Sequence, residues 1–376
     1  MKNLIVSFFL LSLLSCSTES DEIVSDGRHI SLRSLPTYFL IHQDWSTSDV
    51  LTQTSDDLDN WSAGYVASGT TAVMGTSSTM YLAWNPTIPN PPFDDGAYEY
   101  RPLTIFQNGF NALRWVEMND AGTGWTSPAS IAGESSALLP SVEVVDGVVL
   151  EAHVQFQGTA NTVRGSIKSG SSWGTPYVLN RTIMNFPGFA NIISDYSPTV
   201  EYHSSAAVEY LATAGIISGS PSYGVPQIYW RYTSTNYTET SAPSFTLGTT
   251  SGELNASFTP VAVNNNGNDK LYVFYTDPGT STASANTIRY VIGSVTGSTD
   301  GTITSWSSSY SVSSSALTYS KIDGIYNEDS EIIAITYHNS SNNKVDVAYS
   351  DDFGSNWTLV QDIAMTPGAP SLCNQE

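Results

Sequence analysis

The sequence predicts an all-β chain folded as a β-propeller, a ring of small sheets, with six blades. Three observations predict it. Helical periodicity is nearly absent, and short β-rich runs bounded by Gly, Asn, Asp and Ser take its place. Four segments align with one another at spacings near sixty residues. A loop built from serine, aspartate, glycine and tryptophan closes the last repeat and recurs in degraded form upstream.

Taken in chain order, the first element is not part of the ring. The chain opens MKNLIVSFFLLSLLSCSTES, with Lys2 ahead of an apolar run from Leu4 to Leu14 broken only by Ser7 and Ser12. The run is too short to span a membrane as a helix and has the shape of a secretory signal. It closes on Leu13-Leu14-Ser15-Cys16, which resembles the cleavage site of bacterial lipoprotein signals. That resemblance implies a signal peptide over 1–15 and lipidation of Cys16, so that acyl chains anchor the mature protein. Residues 16–27 carry Glu19, Asp21, Glu22 and Asp26 and read as an acidic tether. The small residue after Cys16 resembles those of outer-membrane lipoproteins, and the expected location is the bacterial envelope, at the outer membrane. Periplasmic and outward-facing placements both stay open. The only other cysteine is Cys373, and a Cys16–Cys373 bridge is the alternative if Cys16 carries no lipid.

Composition narrows the partners. Lys and Arg total 13 against 35 Asp and Glu, a formal charge of -22. Such a field repels phosphate backbones, which argues against nucleic acid. Charged residues are only 13% of the chain, so the polar surface comes largely from Ser, Thr, Asn, Gln and Tyr, which suits hydrogen bonding to neutral ligands.

The β-rich runs are TYFLIHQ (37–43), TMYLAWNP (79–86), NALRWVEM (111–118), VVLEAHVQF (148–156), KLYVFYTD (270–277) and EIIAITYH (331–338). The aligned segments start at Leu138, Tyr196, Phe258 and Tyr319, with Pro140, Pro198, Pro260 and Lys321 in register, at spacings of 58, 62 and 61 residues. Each has a short strand, a polar turn and a longer apolar strand. The spacings divide the chain into units at 28–65, 66–136, 137–194, 195–256, 257–317 and 318–363, each long enough for four short strands. Four-stranded units set radially cover one another's faces. The propeller then spans 28–363, with 364–376 as a C-terminal tail. The first unit is short, and five or seven blades also fit.

The last repeat carries YSDDFGSNW, with Ser350, Asp352, Gly354 and Trp357. Degenerate versions keep Ser55, Asp57 and Trp61; Asp120, Gly122 and Trp125; and Ser166, Gly170 and Trp173, with Lys168 standing where aspartate would be. The complete copy resembles the Asp-box, Ser/Thr-x-Asp-x-Gly-x-x-Trp, of sialidase-like (BNR-repeat) propellers. The resemblance implies a hairpin between the third and fourth strands of a blade, on the outer rim. The chemistry agrees: Ser350 and Asp352 can bond turn amides, Gly354 can take a positive φ, and Trp357 can pack beneath the loop.

An active site is less marked. A sialidase-like enzyme would need three arginines around a substrate carboxylate, an acidic aspartate and an activated tyrosine. Arg33-Ser34-Leu35-Pro36 departs from that family's Arg-Ile-Pro strand, and none of the eight arginines stands out. Other glycoside hydrolases use a carboxylate pair set roughly 5–9.5 Å apart. Asp44, Glu117, Glu151, Glu201, Glu209 and Asp277 lie at strand ends. Glu117 and Glu151 interrupt apolar strands and are the catalytic candidates; a channel-facing or solvated carboxylate is the favoured explanation of them. The five histidines lack metal-ligand spacing, so no metal is expected. NNNGND (264–269) and DDG (94–96) are oxygen-rich turns suited to hairpins or, more weakly, to Ca2+. No cofactor is implied.

With 21 tyrosines and nine tryptophans, the leading expectation is a membrane-anchored binding protein for a neutral glycan. The alternatives are a glycoside hydrolase with carboxylates in a central funnel, and a scaffold for an envelope protein.

Overall fold

The computed structural model describes residues 22–23, 29–30, 35–44, 46–47, 49–68, 72–87, 97–108, 112–121, 124–131, 138–145, 151–157, 163–169, 172–175, 177–178, 189–192, 199–203, 206–217, 224–232, 238–241, 243, 258–265, 268–277, 287–297, 299–312, 322–339, 342, 344–365 and 367–374. The signal segment 1–15 and Cys16 lie outside them.

Side chains alternate across a strand, so a strand that is apolar on both faces needs cover on both. The segment Phe258–Asn265 shows this directly. Phe258 and Ala262 enter one apolar cluster, while Val261 and Val263 enter another. The paired strand Asn268–Asp277 does the same: Leu271, Val273 and Tyr275 go one way, Tyr272 and Phe274 the other. Each sheet is therefore buried between two neighbours.

Every regular element among the described residues is a strand, and the strands form six sheets. Blade 1 holds β3 (Tyr38–Asp44), β4 (Val50–Ser55), β5 (Tyr65–Ser68) and β29 (Pro367–Asn374). Blade 2 holds β6 (Ala72–Asn85), β7 (Ala97–Asn108), β8 (Leu113–Glu117) and β9 (Ala129–Ser130), with β1 (Glu22–Ile23) and β2 (His29–Ile30) added beside β7. Blade 3 holds β10 (Leu138–Val145), β11 (Glu151–Gln157), β12 (Val163–Ser169), β13 (Ser172–Trp173) and β14 (Tyr177–Val178). Blade 4 holds β15 (Phe189–Ile192), β16 (Thr199–His203), β17 (Val208–Ile217), β18 (Gly224–Arg231) and β19 (Thr238–Glu239). Blade 5 holds β20 (Phe258–Asn265), β21 (Asn268–Asp277), β22 (Thr287–Gly297), β23 (Asp300–Trp306) and β24 (Tyr310–Ser311). Blade 6 holds β25 (Asp323–Asn327), β26 (Ile332–Asn339), β27 (Lys344–Ser350) and β28 (Thr358–Met365).

The sheets close into a ring. β29 packs on β6, β6 on β10, β10 on β16, β16 on β20, β20 on β25, and β25 back on β29. The chain is a six-bladed β-propeller, and these six are its innermost strands. The four aligned repeats are the innermost strand and its hairpin partner in blades 3 to 6: β10–β11, β16–β17, β20–β21 and β25–β26. Apolar clusters fill the interfaces of blades 1–2, 2–3, 4–5, 5–6 and 6–1.

Two segment assignments need correction. The segment 364–376, read as a tail, contributes β29, which pairs antiparallel with β3 from Pro367↔Asp44 to Asn374↔Tyr38. Blade 1 thus joins β29 to β3, β4 and β5, so its N-terminal unit supplies only three of its four strands. The stretch 16–27, read as a tether, contains β1, which pairs with β2. β2 in turn meets β7 in parallel at Ile30↔Tyr98.

Candidate functional site

The complete box lies between the third and fourth strands of blade 6. Gly354 N donates to Ser350 Oγ at 2.8 Å, and Asn356 N donates to Asp352 Oδ1 at 2.8 Å. Asn356 Nδ2 reaches Asp352 Oδ2 at 2.6 Å. These bonds stabilise the ionised carboxyl and hold the Asp352 pKa below its ordinary value, with the Asn356 amides the main cause. Gly354 has φ 89°, and its neighbour Phe353 has φ 55°. Trp357 packs edge-on against Phe274 at 5.6 Å and Tyr290 at 5.8 Å, both in blade 5. Tyr272 and Tyr290 donate their hydroxyls to the carbonyls of Phe353 and Gly354 at 3.1 and 2.8 Å. The loop therefore joins blade 6 to blade 5 as well as closing its own hairpin.

The blade 1 copy builds a similar loop without glycine. Asn60 N and Asp59 N donate to Asp57 Oδ1 at 2.8 and 3.0 Å, and Ser55 Oγ donates to the same oxygen at 3.2 Å. Buried Leu58 takes the left-handed conformation at φ 66°, and Trp61 Nε1 donates to Leu58 O at 2.7 Å. The other copies diverge. Asp120 pairs with Arg101 Nη2 at 2.6 Å, and Met118 bridges to Trp125. Ser166 Oγ donates to Gly174 O at 2.8 Å, with Trp173 buried beside it. Gly122 and Gly170 lie outside the described residues.

Lys168, at the aspartate position of the blade 3 copy, is buried and crosses to blade 2. Its ammonium lies 2.9 Å from Tyr81 Oη and 3.3 Å from Glu117 Oε2, over the rings of Tyr81 and Trp115 at 4.3 and 5.1 Å. Tyr81 also donates to Glu117. Burial lowers the Lys168 pKa, opposed by the attraction of Glu117. Burial also raises the Tyr81 pKa, reinforced by the Glu117 charge.

This overturns the funnel-facing or solvated reading of Glu117. It lies on a third strand, between blades 2 and 3, with its Oε2 engaged by both a lysine and a tyrosine. Glu151 opens the second strand β11, opposite Val145 and Ser169. Its side chain lies outside the described residues. Neither glutamate belongs to an innermost strand.

Two of the described arginines are held in separate ion pairs, in blades 4 and 2. Arg231 Nη2 pairs with Glu209 Oε1 at 2.7 Å, both side chains being buried. Arg101 Nε pairs with Glu99 Oε1 at 2.8 Å, and Asn85 Nδ2 bonds the same oxygen at 2.8 Å. In NNNGND, Asn265 pairs with Asn268, a two-residue hairpin connection; the DDG turn lies outside the described residues. Among the described residues, no cluster of three or more His, Cys, Asp or Glu is placed to hold a metal.

A cavity of about 200 Å³ lies on the ring axis, toward the C-terminal ends of the innermost strands. Its wall includes the carboxylates of Glu143, Glu201, Asp323 and Glu328, the tyrosines Tyr100, Tyr202 and Tyr326, and His203, Asn264 and Asn374. No lysine or arginine lines it among the described residues. Burial lowers the His203 pKa, against the pull of Asp269 and Glu328, which favours the neutral imidazole.

Several of these groups also fasten the ring. Ala262 N of blade 5 donates to Glu201 Oε1 of blade 4 at 2.7 Å. Leu372 N of blade 1 donates to Asp323 Oδ2 of blade 6 at 3.1 Å, and Ser371 Oγ donates to the same oxygen. Tyr326 donates to Asn264 O at 2.9 Å. Val142 N donates to Ser77 Oγ at 3.0 Å, and Ser78 Oγ to Ser371 Oγ at 2.8 Å. Of the strand-end carboxylates that are candidates in the sequence, Glu201 alone lines the cavity among the described residues. Glu143 occupies its place in the repeat alignment, three residues after Pro140 as Glu201 follows Pro198. That match was the signal available in the sequence.

No protein-family model and no curated protein matches the chain. Solved structures do. A triple arginine-to-alanine mutant of AofleA from Arthrobotrys oligospora aligns with TM-score 0.57 and 12% identity, over 92% of this chain and 89% of that one. The BP39L lectin from Burkholderia pseudomallei aligns with TM-score 0.52 and 11% identity, over 88% and 82%. A lectin from Aleuria aurantia, described as a six-bladed β-propeller with a fucose recognition mode, aligns with TM-score 0.51 and 11% identity, over 90% and 94%. What they share with this chain is the fold.

Proposed function

We propose that this protein is a carbohydrate-binding β-propeller, exported and held in the bacterial envelope by lipid on Cys16. The axial cavity carries the reading: it combines tyrosines, carboxylates and amides with no lysine or arginine among its described wall residues. Tyrosine faces suit the apolar side of a sugar ring, and carboxylates and amides bond hydroxyls. The fold is shared with fucose-recognising and other lectins, which supports the same reading. None of the described wall residues is a lysine or arginine that could hold the carboxylate of a sialidase-like anionic substrate. The anchoring rests on the Leu13-Leu14-Ser15-Cys16 sequence alone.

A glycan array with the full chain carrying Cys16→Ser tests the binding. Neutral glycans, fucosylated ones included, are expected to bind, and sialylated or uronic-acid glycans to bind weakly. An array without neutral hits refutes the reading. Metabolic labelling with a palmitate analogue tests the anchor: label should appear on the wild type and vanish in Cys16→Ser.

A further inference from the structure

Among the described residues, apolar clusters fill five of the six seams between blades, and the seam between blades 3 and 4 is lined differently. In β17, Val208, Tyr210 and Ala212 belong to the cluster shared with blade 5. Strand alternation puts Glu209 and Leu211 on the other side, toward blade 3. Arg231 and Tyr229 of β18 stand opposite them in register, and Gln227 follows on the same side. Glu209, Arg231, Tyr229 and Gln227 are all buried. Arg231 Nη2 lies 2.7 Å from Glu209 Oε1 and 2.9 Å from Oε2, a contact made within blade 4.

The facing strand has a matching pattern. β11 alternates Glu151, His153, Gln155 and Gln157 with Ala152, Val154 and Phe156. Val154 stands opposite Val142, and Ala152 opposite Val144. Val142 and Val144 pack in the cluster shared with blade 2. The apolar positions of β11 therefore share the side toward blade 2, and its polar positions share the side toward blade 4, where β10 and β11 meet β16. On β16, Tyr202 stands opposite Glu209 and lines the axial cavity, so the seam runs into the cavity wall.

The two kinds of seam differ in what holds them shut. Apolar contact gains free energy in proportion to the area removed from water. Burying an ion pair carries a desolvation cost that largely cancels its Coulomb attraction. Regions with fewer apolar contacts open locally at lower free energy than the molecule as a whole. We propose that the ring parts locally at the seam between blades 3 and 4, a gate on the flank of the axial cavity. The parting does not depend on what the cavity binds, and neither does its test.

Thiol labelling of the full chain carrying Cys16→Ser provides that test, with the labelled residue identified by mass spectrometry and Cys373 as a buried reference. Leu211→Cys places a thiol in the seam between blades 3 and 4. Ala212→Cys, its neighbour in β17, faces the seam between blades 4 and 5, and Val263→Cys faces that between blades 5 and 6. All three positions are fully buried. N-ethylmaleimide should label Leu211→Cys at least about tenfold faster than the other two. Its rate should change little with sub-denaturing urea, because a local opening exposes little surface. Adding Glu209→Leu and Arg231→Met makes the seam apolar and should slow that labelling at least about tenfold. If this combined variant fails to fold, the comparison of the three single thiols still decides. Labelling of Leu211→Cys no faster than that of Ala212→Cys or Val263→Cys overturns the proposal. A rate that climbs with urea as steeply as global unfolding overturns it too, as does unchanged labelling in a folded apolar variant.

Discussion

At the scale of single residues, positions that break an ordinary local preference are held by contacts from a neighbouring blade or by a dense turn network. Gly354 sits at φ 89°, and a Cβ there would lie 2.6 Å from Tyr290 Oη. Gly354→Ala should lower stability by about 1–3 kcal/mol, seen as a lower urea midpoint with an unchanged slope. Lys168 carries a charge where almost nothing is exposed, with Glu117 as its counter-ion. Lys168→Met should cost about 3–5 kcal/mol because it strands a carboxylate. Lys168→Met with Glu117→Gln should recover most of that loss, and a double-mutant cycle measures the difference. The loop aspartates make a prediction about pH. Hydrogen bonds hold the folded pKa of Asp57 and Asp352 below their unfolded values, chiefly through Asn60 and Asn356. Their contribution is therefore present above the unfolded pKa and lost as pH falls through the folded one. Asp57→Asn with Asp352→Asn should flatten the fall of the urea midpoint between neutral pH and pH ~3 relative to wild type.

At the scale of elements, legibility followed hydrogen-bond distance along the chain. The innermost strands of blades 3 to 6 and the strands that follow them form local hairpins, and they recur as an aligned pattern. The Ser350–Trp357 hairpin was readable because the bonds that close it, among Ser350, Asp352, Gly354 and Asn356, lie within one turn. β29 was not: PGAPSLCN has two prolines and a glycine and lacks an alternating apolar face. Its strand state comes from β3, more than three hundred residues away in sequence. The docking of Tyr272 and Tyr290 on the blade 6 loop was hidden for the same reason. Lys168 could be seen to break its motif, but its partners Tyr81 and Glu117 lie in another repeat. Glu143 and Glu201 were aligned, yet alignment alone does not say which strand lies innermost. The closure by β29 has a chemical consequence. Cys373 is buried at 2% exposure, and burial raises its thiol pKa. In the chain carrying Cys16→Ser, Ellman's reagent should label Cys373 very slowly in native buffer and promptly in urea. Rapid native labelling would mean that β29 is not seated.

At the scale of the whole molecule, six sheets with apolar faces have no stable arrangement alone, and the ring covers them mutually. Closure leaves the polar side chains of the innermost strands around the axis. Their side chains divide between fastening adjacent blades, as Glu201 and Asp323 do, and lining a small cavity. Function is less legible than fold because the cavity is assembled from short stretches of all six blades, none of which carries a motif of its own. Under the proposed reading, a site for one sugar ring binds weakly, and copies held on one surface by the proposed lipid anchor would raise effective affinity for multivalent glycans. The most direct test is hydrogen–deuterium exchange with and without a bound neutral glycoside. The account predicts added protection at 141–144, 201–203, 322–328 and 372–374, the axial ends of the innermost strands. Protection confined to outer segments such as 307–312 or 351–357 would contradict it.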